Sequence, residues 1–222
     1  MPHAENASRA STTQKRTRIQ KEKEEAILDA ALNVFSTYGF RGATIDQIAS
    51  LSNLSKPNVL YYFNSKEAIH RQLIDRILED WLEPLLAIDP NGNPVWELRA
   101  YIRQKLELAR DYPRESRLFA NEILQGAPHI AEELQDLKTL VDEKSVIIRD
   151  WAEAGKIKAV DPRHLFFAIW STTQHYADFD AQIRVVLGLP EDGEDHFEEA
   201  ARFLDMLFVD GLVVAQTETA AS

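Results

Sequence analysis

An all-α protein of about nine helices is predicted by three features of the sequence. Apolar residues recur at three- and four-residue spacing through most of the chain, the periodicity of helices with one buried face. No stretch shows the strict apolar–polar alternation of a strand. Breakers fall between the periodic segments, at Pro113, Gly126-Ala127-Pro128, Gly155, Pro162 and the Gly188 to Gly193 loop. With 222 residues, 45% of them hydrophobic, the chain can bury a sizeable core in one or two domains.

Residues 1–19 are polar, rich in Ser, Thr and Arg, and lack an apolar period, which predicts a flexible arm. From Gln20 the pattern turns helical through Ile27, Ala30, Ala31, Val34 and Phe35, and Gly39 stands at the position of a helix C-cap. Thr44 offers an N-cap for a short helix through Ile45, Ile48 and Ala49, and Ser55 offers another for Lys56 to Tyr62. Pro57 fits the first turn of the latter, where no intrahelical donor is lost. Asn64 and Glu67 have capping-box spacing, and Ser65 is an equally good cap for a helix carrying Ile69, Leu73, Ile77 and Trp81 that Pro84 ends. Beyond the turn-rich DPNGNP at 89–94, helices are expected at 95–112, 114–125, 129–154, 162–182 and 194–215. The acidic run EDGEDHFEE at 191–199 reads as a loop and the negative first turn of a helix. Three parts result: the arm at 1–19, a three-helix unit at 20–66 and a helical body at 67–222.

The absence of cysteine excludes disulfides, thiolate metal sites and cysteine nucleophiles. No signal-peptide pattern or membrane span is read, so a soluble, cytoplasmic protein is expected. His164, His175, His196 and Ser171 have neither nucleophile-elbow, P-loop nor metal-ligand spacing, so no catalytic group, metal or cofactor is expected. A net charge of −11 argues against a nucleic-acid partner until its distribution is considered. Residues 1–66 carry nine Lys/Arg against six Asp/Glu, so a basic end is joined to an acidic body.

The segment TIDQIASLSNLSKPNVLYYF has the parts of a helix-turn-helix, whose second helix enters the major groove while the first holds it by packing. Ile45, Ile48, Ala49, Leu51, Leu54, Val59 and Leu60 are its expected core. Lys56, Asn58, Tyr61 and Tyr62 are left to face the groove: a cation for a phosphate or guanine edge, an amide able to pair bidentately with adenine, and hydroxyls for phosphate oxygens. From Thr44 to Ile69 the sequence resembles the TetR family, with its Thr-capped helix, Ser-capped recognition helix, Tyr-Tyr-Phe and Ser-Lys-Glu in order. That resemblance implies double-stranded operator DNA as partner. It assigns Thr44 and Lys66 to phosphates, Tyr61 and Tyr62 to the backbone, and Lys56, Pro57 and Asn58 to the neighbourhood of bases. The Asn53-Leu54 and Pro57-Asn58 pairs depart from the residues common there, so no base preference carries over. The arm is a candidate for the adjacent minor groove.

In the body, WSTTQHYADFDAQ at 170–182 sets Trp170 and Gln174, with Thr173, on one helix face, a ring and a bidentate amide suited to a planar heterocycle. On spacing alone, Trp170 reads equally as core and Gln174 as a cap on a buried backbone group. RDYPRESRLFANEILQGAP, DEKSVIIRDWAEAGKIKAVDPRHL and the WSTTQHYADF run resemble the RutR-type pyrimidine-utilisation regulators, a likeness running from about 20 to 182. It implies a repressor released by uracil or thymine, with the effector held at Trp170 and Gln174 and Trp81 closing the site. Tyr176, Glu122 and Phe119 are further candidates. A neutral effector also matches the lack of a cation beside these positions in sequence. The other TetR-type reading is a sensor of a different aromatic or drug-like ligand, which would favour an apolar, deformable pocket. Trp81 shares its helix with the end of the reading segment, which makes that helix the expected coupling route. Leu165, Phe166 and Ile169 on one helix, and Phe197, Ala201, Leu204 and Phe208 on another, are the expected homodimer bundle. A two-fold dimer would set the reading helices about 34–36 Å apart or a multiple of it.

Overall fold

The structure is a computed structural model that describes residues 3–190 and 196–213, with side chains from Arg18 onward. Its ten α-helices are α1 (His3–Gly42), α2 (Ile45–Leu51), α3 (Lys56–Tyr62), α4 (Lys66–Leu86), α5 (Pro94–Asp111), α6 (Pro113–Leu124), α7 (Ala131–Glu153), α8 (Pro162–Asp178), α9 (Asp180–Leu187) and α10 (Phe197–Leu204). A π-helical turn at Asp205–Asp210 follows. The described residues hold no strand beyond one isolated antiparallel bridge, Ile157 with Val213. The chain divides into two compact units inside α4, and Asn121–His129 group with the first, which ends at Asp75.

In the first unit, α1 buries Ile27, Leu28, Ala31, Val34 and Phe35 along one face. The helix breaks at Gly39, whose φ of 66° is a conformation that favours glycine, as its C-cap position implied. At its other end α1 covers residues 3–19, expected to lack regular structure. Three Ala and three Arg there are good helix formers, the segment holds neither Gly nor Pro, and extending an existing helix costs far less than nucleating one. Thr44 and Gln47 form a reciprocal capping box at α2, and the Ser55 hydroxyl accepts the Asn58 N–H at the start of α3. The turn between them places Asn53 at φ 54°, a left-handed conformation that asparagine tolerates. Ile48, Ala49 and Val59 are buried and Ile45 and Leu54 half-buried, whereas Leu51 and Leu60, expected in this core, are exposed. Two seven-residue helices have too little facing surface to cover every apolar side chain. At α4 the cap is Ser65, whose hydroxyl accepts the Ala68 N–H. Pro84 does not end this helix, which runs on to Leu86.

In the second unit α5 packs against α8, α10 and the π-helical turn, and α7 packs against α8. Tyr101, Ile102, Leu106, Ile148, Trp151, Phe166 and Leu204 are members of the core. Leu165, Phe166, Ile169, Ala201 and Leu204, expected at a dimer interface, also lie inside it, with Phe197 and Phe208 packed on its edge. These stripes therefore serve the subunit's own core, because α5 lies between α8 and α10 and draws their apolar faces inward. The large apolar residues left exposed on the same elements are Phe167, Phe203, Met206 and Leu207. The helix expected at 162–182 ends at Asp178, where the carboxylate accepts the Ser116 hydroxyl at 2.6 Å, and α9 restarts at Asp180.

Candidate functional site

On the first unit, α3 exposes Lys56, Pro57, Asn58 and Tyr61, with Tyr62 half-buried and edge-on to Tyr61. Lys56 Nζ is 2.9 Å from an Asp46 carboxylate oxygen. Both partners are exposed, so the pair is worth no more than about 1 kcal/mol and a phosphate can compete for the ammonium. Two other residues expected at phosphates, Thr44 and Lys66, also hold groups of the protein itself. The Thr44 hydroxyl is engaged with Gln47, accepting its N–H and donating to its Oε1. Lys66 Nζ donates to the carbonyls of Phe40 and Ala43, at 2.7 and 2.9 Å, and lies over the Phe40 ring. Lys66 thus satisfies carbonyls at the C-terminal end of α1, a positioning role.

The second unit contains a pocket lined by residues of α4, α5, α6, α7 and α8. Trp81, Phe119, Trp170 and Gln174 line it together with Tyr101 and Lys105, and leucines from α4 and α7 complete the wall. Four of the six expected ligand residues are therefore brought together; Tyr176 and Glu122 are not among the lining residues. Thr173 is buried, with its hydroxyl donating to the Ile169 carbonyl, so it faces the core. Trp170 Nε1 donates to the Tyr101 hydroxyl oxygen at 2.6 Å, which fixes the indole and leaves its ring to the pocket. Burial raises the Tyr101 pKa, so the phenol remains a neutral donor. The half-buried Gln174 amide has no hydrogen bond to a described residue, in contrast to the backbone-cap reading.

Lys105 corrects the expectation that no cation stands near the pair. It is 7% exposed, its ammonium donates to the Trp81 carbonyl at 3.3 Å, and it lies 4.7 Å from the centre of a Trp81 ring. Desolvation lowers its pKa from 10.5 to about 8. Sequence spacing gave no sign of it, because Lys105 belongs to an otherwise ordinary amphipathic helix far from residues 170–174.

Glu122 instead joins a cluster in the first unit. Its carboxylate accepts the His129 backbone N–H at 2.8 Å, sits 3.2 Å from His129 Nδ1, and lies 3.7 Å from His70 Nε2. Phe35 and Phe40 pack edge-on against His70. Burial lowers the His70 pKa to about 4, so its ring is neutral at physiological pH. Glu122 and His129 stand seven positions apart, but His70 lies on another helix more than fifty positions earlier, so no metal-ligand spacing was there to be seen.

Comparison with known proteins places these features. Residues 27–73 match the family described as bacterial regulatory proteins, tetR family, and residues 74–215 match the YcdC-like protein, C-terminal region. The chain is 46% identical over 202 residues to the HTH-type transcriptional regulator RutR of Escherichia coli K12, covering 90% of this chain and 95% of that one. This chain belongs to the TetR family.

As a TetR-family protein it is a helix-turn-helix transcriptional regulator and not an enzyme, with α2 and α3 as the helix-turn-helix. The boundary between the two family matches falls inside α4, as does the division between the compact units. The HTH-type transcriptional repressor NicS of Pseudomonas putida KT2440 is 31% identical over 136 residues, 60% of this chain and 63% of NicS. Among solved TetR-like folds, AibR in complex with isovaleryl coenzyme A and operator DNA gives a TM-score of 0.67 at 19% identity, over 84% of this chain and 98% of that one. A TetR-like regulator from Rhodococcus sp. RHA1 gives 0.64 at 24% identity, over 85% and 94%. Among the described residues, no helix is long and apolar enough to cross a membrane.

Proposed function

We propose that this regulator represses pyrimidine-utilisation genes and leaves its operator when uracil or thymine occupies the pocket of the second unit. The observation that carries this reading is the convergence of two indoles, an unpartnered amide and a buried ammonium on one cavity. A pyrimidine-dione presents flat faces, two carbonyl acceptors and ring N–H donors. Trp81 and Trp170 offer faces for stacking, while the Gln174 amide can donate to one carbonyl and accept a ring N–H. Lys105 supplies a charge-assisted donor to the other carbonyl. Phe119 and the leucines exclude water and leave room for the thymine methyl. The 46% identity to RutR over nearly its full length supports the same reading.

On DNA, Lys56, Pro57 and Asn58 are the candidates to approach bases, Lys56 also serving a phosphate, with the tyrosines against the backbone. Thr44 and Lys66 hold the reading helices in register. A homodimer in the cytoplasm is proposed, joined through the exposed Phe167, Phe203, Met206 and Leu207. Because α4 carries Trp81 and also follows directly on the reading segment, its tilt is the proposed coupling device; release requires the effector to bind the two states with different affinity.

Calorimetry with uracil and thymine on the wild type and on Gln174→Ala tests the effector. The wild type should bind at least one of them, and the variant should bind more weakly by roughly tenfold, the value of one or two hydrogen bonds. A wild type that binds neither refutes the pyrimidine assignment and leaves the TetR regulator with a different aromatic effector.

A further inference from the structure

We propose that the first unit carries a transition-metal site of the zinc class, formed by His70 Nε2, the Glu122 carboxylate and His129 Nδ1. These ligand atoms all lie within 4.8 Å of one another. Two nitrogens and a carboxylate oxygen form one of the ligand sets that zinc accepts, with three protein ligands and one further position open. With metal–ligand distances of about 2.0–2.1 Å, tetrahedral geometry sets neighbouring ligand atoms roughly 3.3–3.4 Å apart. The 3.2 Å separation of His129 Nδ1 from the carboxylate already meets this, and the 3.7 Å separation of His70 Nε2 exceeds it slightly. That second separation is too long for a hydrogen bond, so the present contact leaves His70 without a direct partner there.

Burial adds the electrostatic argument. The Glu122 side chain is 1% exposed and that of His70 only 3%, so a carboxylate is enclosed beside an imidazole, away from water. A cation is one of the partners that can compensate a carboxylate buried this far. The neighbouring ammonium, that of Lys66, is committed to the Phe40 and Ala43 carbonyls. A divalent ion would supply the charge, and neutral imidazole is the form that ligates. The site is also built by independent segments. His70 comes from α4, Glu122 from α6, and His129 from the turn shaped by positive-φ Gly126 and Ala127. His129 is 25% exposed on its side chain, which gives the ion an entry path and the open position access to water. Metal binding would fasten the 121–129 turn to α4 within the unit that reads DNA.

Tag-free, full-length protein stripped with a chelator should bind one Zn²⁺ or Co²⁺ per chain. The cobalt form should show the visible d–d bands of a four-coordinate site, and zinc should raise the melting temperature progressively with its free concentration, as mass action requires. His129→Gln and Glu122→Gln should each lose at least about tenfold in affinity, whereas His175→Ala, at an exposed position on α8, should bind as the wild type does. His129 is partly exposed, so His129→Gln is the variant expected to fold normally, which circular dichroism checks. No stoichiometric binding to the wild type at micromolar metal, a six-coordinate cobalt spectrum, or equal affinity in folded His129→Gln would each overturn the site and leave a hydrogen-bonded His–Glu cluster. None of these outcomes depends on the pyrimidine reading, which is tested in the other unit.

Discussion

Replacing Lys105 with methionine should make this protein more stable and a poorer sensor. The ammonium is buried, with one carbonyl and the face of one indole as its recorded partners, and its pKa falls from 10.5 to about 8. At about 1.4 kcal/mol per pKa unit, keeping Lys105 charged in the folded state costs about 3 kcal/mol at neutral pH. Methionine keeps the length of the stem and removes the charge, so Lys105→Met should gain about 2–3 kcal/mol, or roughly 4–12 °C in melting temperature for a chain of this size. The sign of the pH dependence follows from linkage. A lysine whose folded pKa lies below its unfolded value favours unfolding while protonated, so the penalty is complete below pH 8 and is relieved as pH rises from about 8 towards 10.5. Urea unfolding of both proteins at pH 7 and pH 10 should therefore show a wide stability gap that narrows at the higher pH. Calorimetry should show uracil binding weakened by about tenfold or more in the variant, because a charge-assisted hydrogen bond is lost. A variant no more stable than the wild type at pH 7, or a gap independent of pH, would refute the desolvation argument. Unchanged uracil affinity would remove Lys105 from the effector site.

Two further predictions concern the reading unit and the proposed dimer. Thr44→Ala removes both hydrogen bonds of the Thr44 hydroxyl, to the Gln47 N–H and Oε1, leaves only the backbone half of the α2 capping box, and should cost about 1 kcal/mol in unfolding experiments. Operator affinity should fall with it in a gel-shift titration, and an unaltered affinity would mean that Thr44 neither positions α2 nor touches DNA. Phe203→Glu combined with Leu207→Glu places charge on two exposed apolar positions and should give a monomer in analytical ultracentrifugation at micromolar concentration. A persisting dimer would locate the interface elsewhere.

How far the sequence could be read depended on whether the deciding information was local. Caps and breakers act within one turn of the chain, and so Thr44, Ser55, Pro57 and Gly39 disclose the helix-turn-helix from sequence. Trp170 and Gln174 stand one helical turn apart and were legible for the same reason. Solvent exposure is set by neighbours far away in sequence, and there the reading erred. Leu51 and Leu60 were expected inside and are outside. Phe166, Ile169 and Leu204 were expected to meet a second subunit, whereas they enclose this subunit's core. An apolar stripe shows that a helix face is buried but not by what. The arm at 1–19 illustrates a different limit, since composition described its polarity correctly while the backbone continues the adjoining helix.

Lys105 also bears on which class of effector the pocket favours. A site for an apolar, drug-like ligand gains nothing from an enclosed ammonium: leucine or methionine at this position would be more stable by the desolvation cost already described, and would extend the apolar wall of Trp81, Phe119 and the leucines. A site for a planar ligand with carbonyl acceptors gains a donor that is held in place by the Trp81 carbonyl and that strengthens as water is excluded. The two readings therefore separate on one substitution. If Lys105→Met weakens uracil while leaving apolar aromatic probes unaffected or bound more tightly, the cation is there to recognise a polar heterocycle. If it strengthens binding of every probe, uracil included, the pocket is built for apolar ligands and the pyrimidine assignment falls.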